Sequence, residues 1–172
     1  MGTAGPAGAR ALANVAWAAC ALLGPAACAV LSVRYTPACG AWWPPATLVC
    51  GAGLAAVAPG RWAAAALLAW AGLLHGAAAG LPGGACVAAA AVVLPLMTVA
   101  GRDPVRGWAL AGPTGFGWSA ACGLAGGLIS GTGEIRIGAA LPDPVGLVGA
   151  ILFGLAGAGL AACVGTRRGG AW

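Results

Sequence analysis

Apolar residues run through this chain in long blocks, and the polar residues gather in short clusters between them. A helix that crosses a hydrocarbon core of about 30 Å needs about 20 largely apolar residues. Six blocks meet or approach that length: residues 11–33, 38–58, 62–80, 85–100, 107–130 and 145–165. Each is apolar around its circumference rather than along one stripe, which suits lipid better than a water-facing surface. Arg34 closes the first block, "PGR" ending at Arg61 closes the second, "LPGG" follows the third and "GRDPVRGW" opens at Gly101 after the fourth. The pattern predicts an all-α fold, a polytopic membrane helical bundle of about six transmembrane helices, with short flanks at residues 1–10 and 166–172.

Two blocks leave alternatives open. The first has a basic flank at Arg10 and small residues near Ala27, so a cleaved signal peptide competes with a permanent span, although the apolar run is long for a leader. The fourth is short and carries Pro95, which leaves room for a tilted or re-entrant helix.

Composition narrows the class. Hydrophobic residues make up 61% of the 172 positions and charged residues 6%, and the mean hydropathy is +0.95. A water-soluble domain usually carries about a quarter charged residues, so lipid is the expected solvent. The formal charge is +5, but the eight basic residues, all Arg, stand singly or in pairs between apolar runs. They form no stripe that would track a phosphate backbone, so nucleic acid is not an expected partner. The Ala, Gly, Pro and Arg bias is that of a genome rich in guanine and cytosine.

The charges do orient the chain. With six spans, Arg10, Arg61, Arg102, Arg106, Arg167 and Arg168 share one side, and Arg34 with Arg136 the other. An excess of Arg marks cytoplasmic segments, so both termini are expected in the cytoplasm, with Arg61, Arg102, Arg106, Arg167 and Arg168 as topology anchors. In "GRDPVRGW", Asp103 partly neutralises Arg102 and Arg106, and Pro104 with Gly101 and Gly107 is read as a tight turn. Trp42, Trp43, Trp62 and Trp108 fall near span ends, where indole rings favour the headgroup region. Trp17, Trp70 and Trp118 fall deeper, where packing is the expected role and a ligand-facing ring the alternative.

Small residues supply candidate packing faces, because close backbone approach helps hold helices together in lipid. The fifth block carries Gly107, Ala111, Gly115, Ser119, Gly123, Gly127 and Gly131 at four-residue spacing, and the sixth Gly146, Ala150, Gly154, Ala158 and Ala162. Pro25, Pro95 and Pro113 lie within blocks, and Pro44 with Pro45 near the start of one, as kinks or as broken helices around a transport site.

Candidate chemistry is sparse. His75, Thr114 and Ser119 could line a polar path through the bundle, with Thr98 a further hydroxyl; an imidazole or hydroxyl satisfied by its own surroundings is the competing reading. Seven cysteines form no CxxC pair and meet one histidine, so they read as packing residues, with Cys39 the one to watch for a disulfide. Glu134, Arg136 and Asp143 are expected in an outer loop, where "GTGEIRIG" lacks the closing Lys-Ser/Thr of a phosphate loop. No acid, base, nucleophile or metal constellation is assembled, so neither an enzyme nor a cofactor is expected.

Three stretches carry a family resemblance: "ARALANVAW" leading into the first span, "TLVCGAGLAA" in the second, and "GPTGFGWSAACGLAGGLISG" in the fifth. With the residue bias, they resemble the multi-pass envelope proteins of alphaherpesviruses encoded by the forty-third gene of the unique long region. The resemblance implies a polytopic protein of the virion envelope and host membranes, accessory to replication, with a role in membrane fusion or envelope protein trafficking. It also implies an architecture similar to equilibrative nucleoside transporters. Family members are about twice this length, so the match is to an amino-terminal half. The two functional expectations are therefore a non-enzymatic membrane protein that associates with itself or with other membrane proteins through small-residue faces, and a small-solute, nucleoside-like transporter or half-transporter whose substrate is not indicated.

Overall fold

The computed structural model describes residues 6–39, 45–100, 103–129 and 144–167, and every element among them is helical. Six helices follow one another: α1 (Pro6–Cys39), α2 (Ala46–Ala56), α3 (Arg61–Ala79), α4 (Gly83–Ala100), α5 (Pro104–Ile129) and α6 (Pro144–Arg167). Three stretches, Ala7–Tyr35, Arg61–Ala79 and Val145–Cys163, are long and apolar enough to cross a membrane, and Ala46–Ala56 and Gly83–Val99 are shorter apolar helices. α5 is long enough, but its many glycines together with Pro113, Thr114 and Ser119 dilute its hydropathy.

Several boundaries differ from the sequence pattern. α1 continues past Arg34 to Cys39, because nothing between Arg34 and Pro37 breaks helical geometry: a proline denies a hydrogen bond only to the turn before it. The second apolar block thus yields a helix only from Ala46, with Ala38 and Cys39 belonging to α1. Pro45 stands at its N-cap, where a missing N–H costs nothing. α4 is a continuous helix through Pro95, and Thr98 donates its hydroxyl to the Pro95 carbonyl at 3.0 Å. α3 stops at Gly80, whose φ of 68° is left-handed, and the Leu81 N–H turns back onto the Gly76 carbonyl at 2.8 Å.

Neighbouring helices alternate in direction. Trp17 meets Leu54 while Gly24 lies by Cys50, so α1 and α2 are antiparallel. Gly72 lies by Cys86 and Gly76 by Gly83, which makes α3 and α4 antiparallel; the pairings of Gly53 with Trp108 and Gly115 with Val49 do the same for α2 and α5. Gly112 against Ala150 and Trp108 against Gly157 reverse α6 relative to α5. The start of α1 and the end of α6 consequently lie at the same end of the bundle.

α2 is the hub. Ten of its eleven residues are buried, and α1, α3, α4, α5 and α6 all touch it. At about 1.5 Å per residue it is only about 16 Å long. The core around it joins Leu48, Val49, Leu68, Cys86, Met97, Trp118 and Cys122. α1 is the outlying helix: Leu12, Val15, Leu23, Val30 and Val33 are each more than 60% exposed.

Candidate functional site

Indole rings tie the helices together. Trp17 donates its Nε1–H to the Leu54 carbonyl at 3.1 Å, joining α1 to the last turn of α2, where that carbonyl also accepts the Val57 N–H at 3.3 Å. Trp70 donates to Leu22 at 3.3 Å and links α3 to α1. Trp118, 2% exposed, donates to Cys86 at 3.0 Å and links α5 to α4. An N–H in an apolar setting needs an acceptor, and each of the three rings, the buried Trp118 and the more exposed Trp17 and Trp70, takes a main-chain carbonyl on another helix.

Trp108 is held differently. Gly53 of α2 and Gly157 of α6 both press against its ring, leaving no room for a Cβ at either glycine. One indole is thus clamped between two helices by two missing side chains. Of the other rings, Trp62 is 78% exposed at the start of α3, where the Arg61 guanidinium stands 5.4 Å from its centroid.

The small-residue faces divide between two partners. Gly146, Ala150, Gly154 and Ala158 of α6 are all buried, and Gly154 lies against Trp108 and Gly112. The α5 residue in that contact, Gly112, is one position beside the expected stripe. Gly115, within the stripe, packs on Val49 of α2 instead. Ser119 and Gly123 are half-buried; Gly127 belongs to α5, its surroundings lying outside the described residues.

The candidate polar path contracts to one pair. The hydroxyl of Ser119 on α5 and Nε2 of His75 on α3 are 3.5 Å apart, at the outer edge of hydrogen bonding. Thr114 is half-buried on the same helix, but five residues place it about 140° around the helix from Ser119. Thr47, at the start of α2, is 1% exposed and its hydroxyl has no hydrogen-bond partner.

Two thiol pairs went unnoticed in the sequence. The thiols of Cys28 on α1 and Cys50 on α2 are close neighbours, as are those of Cys86 on α4 and Cys122 on α5. No short-range spacing signals either pair, because each is brought together by antiparallel packing. Cys20 and Cys163 are exposed. Among the described residues no three His, Cys, Asp or Glu side chains converge to hold a metal ion.

At the anchors, Arg61 and Arg106 are exposed, and Arg167 is the last residue of α6. Arg102, Arg168, Trp42, Trp43, Gly131, Glu134, Arg136 and Asp143 lie outside the described residues. The turn expected over "GRDPVRGW" is shorter than anticipated, since Pro104 and Gly107 already belong to α5. Asp103 accounts for this: its carboxylate accepts the Val105 N–H at 3.0 Å and its carbonyl the Gly107 N–H at 2.8 Å. Asp103 is an N-cap with proline in the first helical position, a signal present in the sequence as "DP".

Comparison with known protein families, with curated protein sequences and with solved structures finds no match to this chain.

Proposed function

We propose that this protein is a non-enzymatic integral membrane protein of six spans with both termini in the cytoplasm, the 11-residue α2 crossing as a short helix enclosed by the longer ones. Its role is that of an accessory envelope or host-membrane component, acting in fusion or envelope protein trafficking, like the alphaherpesvirus proteins its sequence resembles. The observation that carries the reading is the manner in which the bundle is closed. Its centre is filled by glycine contacts, by the clamped Trp108 and by indoles bound to carbonyls of other helices, a mode of packing suited to a lipid solvent. The small-residue faces of α5 and α6 are largely used against each other and against α2, so association with a partner falls to the outward faces of α1 and α6. Leu12, Leu23, Leu152 and Leu160 are exposed there.

The alternating helix directions support the charge argument, since they bring the ends that carry Arg10, Arg61, Arg106 and Arg167 together. Six-span topology is tested by washing membranes at alkaline pH and labelling Cys39 with an impermeant maleimide. Retention in the membrane, with Cys39 reacting from the non-cytoplasmic side, is expected. Release by the wash refutes membrane integration, and labelling from the cytoplasmic side refutes the orientation.

The pair of His75 and Ser119 favours a second reading, a small-solute transporter, because a polar pair across two apolar helices marks transport paths in other membrane bundles. Proteoliposomes challenged with nucleosides and small solutes separate the two. Saturable uptake that His75→Ala abolishes replaces the accessory role.

A further inference from the structure

We infer that the seam between α1 and α3 binds one anionic glycerophospholipid, its phosphate held by Arg34 and one acyl chain lying in the groove below. This rests on the membrane reading above. The two helices run parallel, Trp17 lying level with Ala63 and Val33 with Ala77, and they leave two gaps between them. Two cavities follow the seam. The one at the Trp17 end is about 290 Å³. The one at the Arg34 end is about 720 Å³, lined by Ala29, Val33, Leu74, Ala77 and Ala78 with Arg34 itself. Alanine on the α3 side leaves the gap, and wall atoms facing a gap forfeit their dispersion contacts.

The groove has a length and a charge. Trp70 crosses the seam to the Leu22 carbonyl and bars its middle. From Ala29 to Arg34 the cavity wall rises about 8 Å along α1, about half of one leaflet of a hydrocarbon core about 30 Å thick. An acyl chain entering beside Arg34 thus has its upper carbons in the groove and its remainder among the surrounding lipid. Arg34 is exposed and one helical turn beyond Val30, so its stem can follow the apolar wall while its guanidinium reaches headgroup level. A guanidinium matches two phosphate oxygens with parallel N–H donors. Among the described residues no carboxylate lines the cavity, and Asp103, the acidic residue among them, caps α5 at the opposite end of the bundle.

The test is native mass spectrometry of the full chain in detergent, offered equal amounts of dioleoylphosphatidylglycerol and dioleoylphosphatidylcholine. A single retained adduct that favours phosphatidylglycerol is expected. Arg34→Gln should lower that preference by roughly fivefold, the upper range for an exposed ion pair, and Arg34→Lys should keep most of it. Ala77→Phe, which fills the cavity, should lower retention of both lipids. Equal retention of the two lipids by the unaltered chain, or a preference that survives Arg34→Gln, overturns the site. An alkaline wash distinguishes the failures: a chain that stays in the membrane yet holds no adduct loses only this inference, whereas a chain that washes out loses the membrane reading as well.

Discussion

Gly112 of α5 and Gly154 of α6 are in main-chain contact. A Cβ on Gly154 would stand 2.9 Å from the Gly112 nitrogen, and one on Gly112 would stand 2.5 Å from the Ala150 carbonyl oxygen. The obstacle in both cases is backbone, which cannot rotate away as a side chain can. Gly112→Ala is therefore expected to destabilise the bundle by about 1–3 kcal/mol, the usual cost of overpacking. Gly117→Ala, on the same helix with nothing within 4 Å, should be neutral or slightly stabilising through helix propensity. Thermal unfolding in detergent compares them, and equal melting temperatures would remove the α5 and α6 contact from consideration.

Replacing Trp118 by Phe keeps most of the buried ring and deletes the donor to Cys86. The loss should be about 0.5–1.5 kcal/mol, near the lower figure if lipid-embedded bonds behave as they do in other membrane bundles. Trp62→Phe, at a ring 78% exposed beside the Arg61 guanidinium, is the control. An identical change in melting temperature for the two variants argues against the indole tie.

Cys28 with Cys50, and Cys86 with Cys122, should be the preferred products of mild oxidation by iodine. Each pair of thiols then loses two protons and two electrons to the oxidant and becomes a disulfide between neighbouring helices. Mass spectrometry of non-reduced fragments reads the pairing. A product dominated by Cys20 joined to Cys163, both exposed, would contradict the observed arrangement of α1, α2, α4 and α5.

Asp103→Ala removes the cap from α5 and should cost about 1 kcal/mol, while Asp103→Asn should retain most of the stability because its carbonyl oxygen can still accept the Val105 N–H. Amide exchange over residues 105–107 provides the local readout. Unchanged protection in Asp103→Ala would mean that Pro104 alone starts the helix.

Helix identity was legible because it depends on runs of apolar residues and on local breaks, and both are written along the chain. Proline at the start of α2, Gly80 at the end of α3 and the "DP" before α5 are signals of this kind. Where the helices touch was legible only in outline. Four-residue spacing marked one face of α5, but the contact turns on Gly112, because a helix of 3.6 residues per turn drifts off a strict four-residue stripe. The thiol pairs and the two glycines around Trp108 depend on residues 22 to 104 positions apart, and no period in the sequence encodes such separations. His75 was singled out from its chemistry alone; its neighbour Ser119 follows from the way α5 lies beside α3.

The short, enclosed α2 also bears on how the molecule is made. Residues 46–56 leave the ribosome early, when only α1 and then α3 can stand beside them, yet α5 and α6 supply the Trp108 wall and part of the remaining enclosure. The hub is thus among the first parts synthesised and among the last to be seated. A chain ended after residue 100 should expose a cysteine placed at Val49, which packs on Gly115 of α5, to a membrane-permeant maleimide that the full-length protein excludes. Nascent chains of this protein would carry, for most of their synthesis, an apolar peg waiting for its socket.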